Sequence, residues 1–403
     1  MILYNLATTL YYWAIRLAAF LGHKKAQSFV ELRKNQQITH SSKVHIWIHA
    51  ASAGEGNQAI PIANQFKKIC NAFVTISFYS PSGYYFHKNS EVFDQVLNLP
   101  IDQSKKCKNF INELQPTIAI FIKNELWLNT LGELKKNEIP AFLVNANPSD
   151  FFKQRFFNSL QYKGLRSFQL IYLSTQNKFK YKTEIPISNI IGDTKLESAF
   201  LNPKIEDDII KQFSSKNKTI IIGSSWEQEE NLVANYIASN KQIRIIIAPH
   251  EMDYKRINTI KNLFQNNIQL YSNYSNNIES QVLIIDKIGL LKSIYHYADV
   301  AIIGGGFGKG IHNILEAINF NLPVIIGPKF ENFPEAIQLT KLGLVTAVSN
   351  QNEFNKTLDK LLKDNEHYSK ISQQIDFFVA NNKNVSNKIV AEIMQLLPNK
   401  FSI

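Results

Sequence analysis

Cysteine is close to absent from this chain of 403 residues: Cys70 and Cys107 are its two copies, far apart and in no C-x-x-C pair. That leaves no thiolate cluster for a metal and suits a reducing compartment. Other signatures are missing as well. There is no H-E-x-x-H. His45 and His49 would share one face of a strand but stand too far apart to hold one ion, since each strand residue advances about 3.3 Å. No metal site is therefore expected. Ser52 has no G-x-S-x-G context, which removes a hydrolase elbow. Basic residues form no run of five or six, which argues against a nucleic-acid arm. Internal repeats and low-complexity tracts are absent.

What is present is a globular composition, 45% hydrophobic and 12% aromatic, with a net charge of +11. The length allows two domains, each with a core of its own. Scattered positive charge favours phosphorylated ligands or an anionic membrane surface. Residues 1–22, MILYNLATTLYYWAIRLAAFLG, carry no acid and one base, Arg16. The stretch is about as long as a membrane span needs, and Tyr4, Tyr11, Tyr12 and Trp13 are side chains that prefer the interface. A secretory signal would begin with basic residues. Here Lys24, Lys25, Arg33 and Lys34 follow instead, which puts the body of the protein on the cytoplasmic side. The reading is a membrane-associating helix, lying in the surface ahead of spanning it. The alternative is a buried first helix.

Short β-branched runs alternate with helix-length segments. The first half holds HIWIHAAS (45–52), AFVTISFYS (72–80), VLNLP (96–100), TIAIFIKN (117–124), AFLVNAN (141–147) and LIYLST (170–175). The second holds TIIIGSS (219–225), IRIIIAPH (243–250), VLIIDK (282–287), VAIIGGG (300–306) and PVIIGPK (323–329). Continuous apolar runs between helical patterns mean parallel strands covered on both faces. Two such series mean two doubly wound α/β domains, 23–197 and 198–403, with the last helical pattern (383–397) free to pack on either. Ligands of such sheets sit beyond the carboxyl ends of the strands, where polar and glycine residues cluster here; two facing rims would make a cleft.

Several stretches at those ends carry chemistry. In HAASAGEGNQAIPIANQFK (49–67) a buried strand meets Gly54-Glu55-Gly56 and a helical pattern begins at Asn57. Glu55 is either a helix-terminus acid or a carboxylate held out for reaction. In VAIIGGGFGKGIHNILEA (300–317) a strand runs into glycines, among them Gly305 and Gly306, and then into a helix starting near His312. Backbone N–H groups and the helix dipole there could bind phosphate, and Glu316 could accept from a ribose. The spacing fits neither G-x-G-x-x-G nor a P-loop, which counts against an NAD-dependent oxidoreductase. In GSSWEQEE (223–230) Ser224 or Ser225 could cap a helix, and APHE (248–251) puts His250 at a strand end.

Taken in order, these pieces resemble the Kdo transferases, which move 3-deoxy-D-manno-octulosonic acid (Kdo) from CMP-Kdo to lipid A precursors. The resemblance runs from the N-terminal apolar helix through HAASAGEG, NELWLN (124–129), PAFLVNANPS (140–149), IGDTKLE (191–197), GSSWEQEE and APHE. It continues to GLLKSIYHYADVAIIGGGFGKGIHNILEA (289–317) and LPVIIGPKFENF (322–333). It implies a GT-B fold, two Rossmann-like domains with the donor in the C-terminal one. It also implies an inverting transfer with no metal or cofactor, at the cytoplasmic face of the inner membrane, with CMP-Kdo, a lipid A precursor and an anionic membrane surface as partners and no nucleic acid. By the same resemblance Glu55 is the general base, and Glu125 and Lys195 support the transition state. Ser52 and Gly54 face the acceptor. Ser224, Pro249, His250, Gly289, Leu290, Leu291, Gly305, Gly306, Asn313, Ile314, Leu315 and Glu316 face the donor. The chain departs from the pattern at His250, where an arginine is usual, at Trp226 for a histidine, at Leu128 for a proline and at Lys123 for an acid. A neutral histidine would weaken a phosphate contact. The competing readings are another GT-B transferase using a UDP-sugar, and a membrane-attached nucleotide-binding regulator without catalysis.

Overall fold

A computed structural model describes residues 1–401 apart from 35, 152–157, 176–178, 180–184, 202–203, 216, 266 and 277–278. The chain forms two compact units, Met1–Ser198 with Asn384–Ile403, and Ala199–Lys383.

The first unit holds β1 (His45–Ala50), β2 (Phe73–Phe78), β3 (Gln95–Asn98), β4 (Ile118–Ile122), β5 (Ala141–Ala146), β6 (Leu170–Leu173) and β7 (Ile187–Ile191). They form one parallel sheet in the order β3-β2-β1-β4-β5-β6-β7. Every residue of β1, β4 and β5 is buried, as their unbroken apolar runs require of strands covered on both faces. Side chains alternate between two cores. Ile46 and Ile48 join Ile62 and Phe66 of helix Ala53–Cys70 and Ile389 and Ile393 of helix Val385–Leu396. Trp47 joins Phe110, Phe121 and Leu143 on the other face.

The last long helix thus packs on this first unit, and polar contacts fix it there. Ser386 donates from its N–H and its hydroxyl to the buried Glu197, at 2.7 and 2.8 Å. A Cβ on Gly192 would lie 2.6 Å from a Val385 methyl, so only glycine lets the two segments meet.

The second unit holds β8 (Thr219–Ser225), β9 (Arg244–Pro249), β10 (Ile268–Leu270), β11 (Val282–Ile284), β12 (Val300–Ile303), β13 (Val324–Ile326) and β14 (Val345–Ala347). These also form one parallel sheet, ordered β10-β11-β9-β8-β12-β13-β14. In each sheet the strands that come first lie to one side of the first strand and the later ones to its other side, so the chain reverses at β1/β4 and at β8/β12. Such reversals open a crevice at the carboxyl ends of the strands.

Three strands fall outside the apolar runs read from sequence: β7, β10 and β14. All three are sheet edges. An edge strand has one neighbour and needs no continuous apolar run; β7 reads exposed and buried by turns.

The N-terminal segment is a helix, Ile2–Phe20, with no fully buried residue. It is attached to the first unit through polar groups. Tyr4 Oη donates to Asp102 at 2.5 Å, Asn129 Nδ2 to Asn5 Oδ1 at 2.8 Å, and Gln103 Nε2 to Thr9 Oγ1 at 3.2 Å. Its opposite face turns Leu3, Leu6, Leu10, Trp13 and Leu17 to the outside. This reverses the usual order of an amphipathic helix on a soluble domain. Among the described residues, no helix is long and apolar enough to cross a membrane.

Candidate active site

The helix after β1 starts at Ala53, four residues before the position expected from sequence. Ser52 is its half-buried N-cap, extended at φ −139°, and makes no side-chain cap bond. Glu55 takes over that task from the first turn: its Oε2 accepts from the Ala51 N–H at 2.7 Å. This resembles the back-reaching acid of a capping box. The helix-terminus reading of Glu55 is therefore true of one oxygen. The other, Oε1, lies 3.9 Å from Lys123 Nζ.

The two flanking glycines do different things. Neither has the left-handed backbone that a tight turn would demand. A Cβ on Gly56 would come within 2.5 Å of His87 Nε2, whereas a Cβ on Gly54 would meet nothing within 4 Å. Gly56 is a packing glycine. Gly54, next to Glu55 in the chain, is exposed and has open space where a side chain would stand.

Glu125 follows β4, the strand beside β1, so both carboxylates stand at the β1/β4 reversal. Trp127 Nε1 donates to Glu125 Oε2 at 2.6 Å, and His49 Nε2 lies 3.4 Å from the same oxygen. His49 is fully buried, and its Nδ1 is 2.9 Å from Ser77 Oγ, which also accepts from Trp47 Nε1 at 2.8 Å. A chain of polar groups thus runs from the core to Glu125. Burial raises the pKa of Glu55, and the negative charge of Glu125 raises it further; Lys123, the Ala51 N–H and His49 pull it back. A carboxylate so placed is a stronger base than a solvated one.

Lys123, just after β4, and Asn145, next to last in β5, lie in the left-handed region, at φ +66° and +60°. Such residues carry strain of roughly 1 kcal/mol and gather at sites that hold ligands. Buried hydrogen bonds hold Asn145 in place. Its Nδ2 donates to Gln58 Oε1 and to Thr194 Oγ1, both at 2.8 Å, and its Oδ1 accepts from the Thr194 N–H at 3.0 Å. Gln58 lies one turn beyond Glu55 on the same helix. Lys195, in the first turn of helix Thr194–Ala199, is therefore anchored through its neighbour to the helix that carries Glu55.

In the second unit the residues tied to the donor by resemblance follow β8, β9, β11 and β12. Ser224 is left-handed at φ +51°, where the pairing of β8 with β9 slips. Neither serine caps the following helix. Its N-cap is Trp226, and Ser225 Oγ donates instead to Glu230 Oε1 at 2.6 Å. Pro249 is buried at the end of β9, and His250 after it is exposed. The His250 ring stacks on Trp226 at 4.8 Å and on His312 at 4.3 Å, while Trp226 Nε1 donates to His312 Nε2 at 3.0 Å. Burial lowers the pKa of His312, and His250 lowers it further.

The glycine-rich segment differs from expectation. The helix placed near His312 is a single turn, Leu315–Ile318. Left-handed Gly305 and Gly310 wind the chain into a loop first, in which Gly310 and His312 donate to Gly305 and Gly304 carbonyls. A one-turn helix has too small a dipole to hold a phosphate by itself. The Gly305 N–H is also engaged, donating to buried Glu229 at 2.9 Å. Gly306 lacks a side chain because a Cβ would sit 2.6 Å from Gly327 N. What these glycines supply is a backbone shape.

Asn313 Oδ1 accepts from the Leu315 N–H at 3.0 Å, and its Nδ2 donates to Glu316 at 3.1 Å. Ile314 and Leu315 are buried, so only their backbones can meet a ligand. Burial raises the pKa of Glu316, against pulls from Asn313 and Lys292. Gly289 is left-handed at φ +86° with open space around it, and half-buried Leu290 and Leu291 start the helix Leu291–Ile294. The sequence offers no reason to place Trp127 or Glu229 in the site; it raises His49 only as half of a metal pair, Lys123 only as a departure from the family pattern and His312 only as the start of a helix. The period-2 pair His45/His49 on an apolar strand was the available signal. Among the described residues no group of His, Cys, Asp and Glu could hold a metal ion.

Residues 20–198 match the family model described as 3-deoxy-D-manno-octulosonic-acid transferase (kdotransferase), and 265–376 that described as glycosyl transferases group 1. A bifunctional glycosyltransferase/methyltransferase of Fusobacterium nucleatum is 25% identical over 96% of this chain, which spans 62% of that protein's length. A 3-deoxy-D-manno-octulosonic acid transferase of Rickettsia bellii is 28% identical, with 88% of each chain covered. Among solved structures, Acinetobacter baumannii MurG is similar with a TM-score of 0.55 at 11% identity, over 87% of this chain and 99% of its own. At that identity the likeness shows the fold alone, a pair of parallel-sheet α/β domains of the GT-B kind.

Proposed function

Because the chain belongs to the Kdo transferase family, we propose that it transfers Kdo from CMP-Kdo to a lipid A precursor, with inversion, at the cytoplasmic face of the inner membrane. A sugar hydroxyl of the acceptor attacks the anomeric carbon of Kdo and gives its proton to Glu55. The bond from that carbon to the phosphate oxygen breaks, and its electron pair leaves with CMP. The carrying observation is the pair of acids at the β1/β4 reversal, Glu55 with a raised pKa and Glu125 held by Trp127.

Each part has support. Glu55 keeps one oxygen for the backbone and one for a proton, beside the open space at Gly54. Glu125 keeps a second negative charge nearby, which makes Glu55 hold a proton better as it arrives. Lys195 takes the charge of the departing phosphate in this scheme. The loop around Gly305 and the stack of Trp226, His250 and His312 form the donor seat. An imidazole pair in place of a guanidinium binds phosphate best when protonated. The scheme asks for no metal ion. The net charge of +11 and the outward apolar face of the N-terminal helix suit an anionic membrane surface, where a phosphorylated lipid acceptor lies.

The experiment is transfer to a tetraacylated lipid A precursor with CMP-Kdo made in situ, in EDTA, for wild type and Glu55→Gln. Glutamine still accepts from the Ala51 N–H, so the helix start survives. Loss of the base should cost roughly 10²–10⁴-fold in rate. The product mass counts the Kdo units. A folded wild type that binds CMP and transfers nothing sinks the acceptor assignment. Displacement of CMP by UDP would then bring a UDP-sugar transferase forward.

A further inference from the structure

In the first unit a cavity of about 600 Å³ opens between helix Ile2–Phe20 and the segment that carries Glu125. Ala7 and Tyr11 line it from the helix, and Tyr79, Trp127, Phe151 and Leu160 from the body of the unit. We propose that it takes one acyl chain of the lipid acceptor. This rests on the lipid reading of the acceptor given above and goes beyond it by naming the seat.

Charge decides the class of occupant. Among the described lining residues there is no lysine, arginine or histidine; the charged ones are the acids Asp102, Glu125 and Asp150. The charges among the described lining residues are thus all acidic, and most of the lining side chains are uncharged. Asp102 is also fully engaged: it accepts from Tyr4 Oη, the Asn129 and Thr130 N–H groups and the Thr130 hydroxyl. Glu125 has its Oε2 bound by Trp127 Nε1. Beyond Thr8, Asn124, Asp150 and Gln161, the rest of the lining is aromatic and aliphatic, around a space of the size usual for small-molecule pockets. An uncharged chain fits it.

Position decides which chain. One end of the cavity reaches Glu125, so its occupant lies next to the reacting sugar. The other wall is a helix with no fully buried residue, held to the body by polar bonds at Tyr4, Asn5 and Thr9. The outer face of that helix is apolar. Ala7 is exposed and also lines the cavity, so the chamber opens toward that apolar face. A lipid against the helix could pass one chain inward at Ala7 and present its sugars to Glu55 and Glu125. Each methylene buried is worth roughly fourfold in affinity, so the chamber would select for acyl length.

The test is Ala7→Phe, which fills the mouth from an exposed position that the fold does not rely on. Three readings are taken. KM is measured for the tetraacylated acceptor and for its fully deacylated, water-soluble counterpart. CMP binding is measured alongside. Quenching of tryptophan emission by 11-bromo-1-undecanol, an uncharged chain, is compared between wild type, Ala7→Phe and Trp127→Phe, which removes the reporter in the cavity wall. We expect KM for the acylated acceptor to rise at least tenfold in Ala7→Phe, with the deacylated acceptor and CMP unchanged. Saturable quenching should be present in wild type and absent in both variants. An unchanged KM for the acylated acceptor, or quenching that survives Ala7→Phe, overturns the proposal. Transfer by wild type to neither acceptor defeats the Kdo reading itself. Saturable quenching in that case would mark a lipid site unconnected with an acceptor, which also overturns the assignment.

Discussion

The glycines on either side of Glu55 should respond in opposite ways to one added methyl group. At Gly56 a Cβ would stand 2.5 Å from His87 Nε2 and 2.8 Å from both His87 Cδ2 and Phe78 Cε1. Neither ring can retreat. Phe78 is 0% exposed and His87 3%, their rings are stacked at 5.2 Å, and His87 Nε2 is hydrogen-bonded to the Ala53 carbonyl at 3.1 Å. Overpacking of this kind costs about 1–3 kcal/mol, offset by about 0.5–1 kcal/mol from replacing glycine in a helix. Gly56→Ala should lose stability on balance, near the upper end because three atoms are met at once. At Gly54 nothing lies within 4 Å, so Gly54→Ala should keep the full helix gain of about 0.5–1 kcal/mol. If the open space beside Gly54 belongs to the acceptor, the same methyl group intrudes on it, and an acceptor displaced by about 1 Å loses up to 10²-fold in rate. Urea unfolding followed by tryptophan emission, with transfer rates on the same samples, reads both effects. A fully active Gly54→Ala refutes the claim that this space belongs to the acceptor. A Gly56→Ala protein as stable as wild type refutes the packing argument.

Burial and Glu125 raise the pKa of Glu55, so transfer should fall off on the acid side from a pH above that of an ordinary glutamate. Lys123→Met should move that limb further up and Glu125→Gln should move it down; a limb indifferent to both would remove Glu55 from the profile. In stability terms, a raised carboxylate favours the fold while protonated, and its contribution is lost as pH rises through the folded pKa. His312 shows the opposite case, a folded pKa held down by burial and by His250. Its contribution is full above about pH 6.5 and is lost as pH falls through the folded value. An anion against the ring favours the protonated form, so CMP should bind more tightly as the pH falls; titration calorimetry should show proton uptake, and His312→Ala should abolish it. Tyr4→Phe removes a hydrogen bond to buried Asp102, worth about 1.5–3 kcal/mol when the acceptor is charged. The N-terminal helix should then loosen while the sheets stay intact. Limited trypsin digestion at Lys24 and Lys25 would show faster cleavage, and an unchanged rate would refute the polar attachment.

Sequence carries the parts of this protein that apolar runs dictate and loses those that depend on adjacency. Strands β1, β4 and β8 are legible because both their faces are buried, which forces unbroken Ile, Val and Phe. β7, β10 and β14 escape because an edge strand is under no such demand. Glu55 and Glu125 are each legible as acids at the end of a strand. That they act on each other is not, because 70 residues separate them and nothing in the runs says that β4 returns to the free side of β1. The same return brings Trp127 within 3.0 Å of His49, 78 residues away in the chain, and makes a histidine that the sequence raises only as half of a metal pair into a support for Glu125. The glycine-rich loop fails for a related reason. Glycines permit both a helix start and a wound loop, and the choice here depends on Glu229 reaching the Gly305 N–H from another element. Strand order therefore turns two isolated acids into an electrically coupled pair, in which the charge of Glu125 adds to the rise that burial gives the Glu55 pKa.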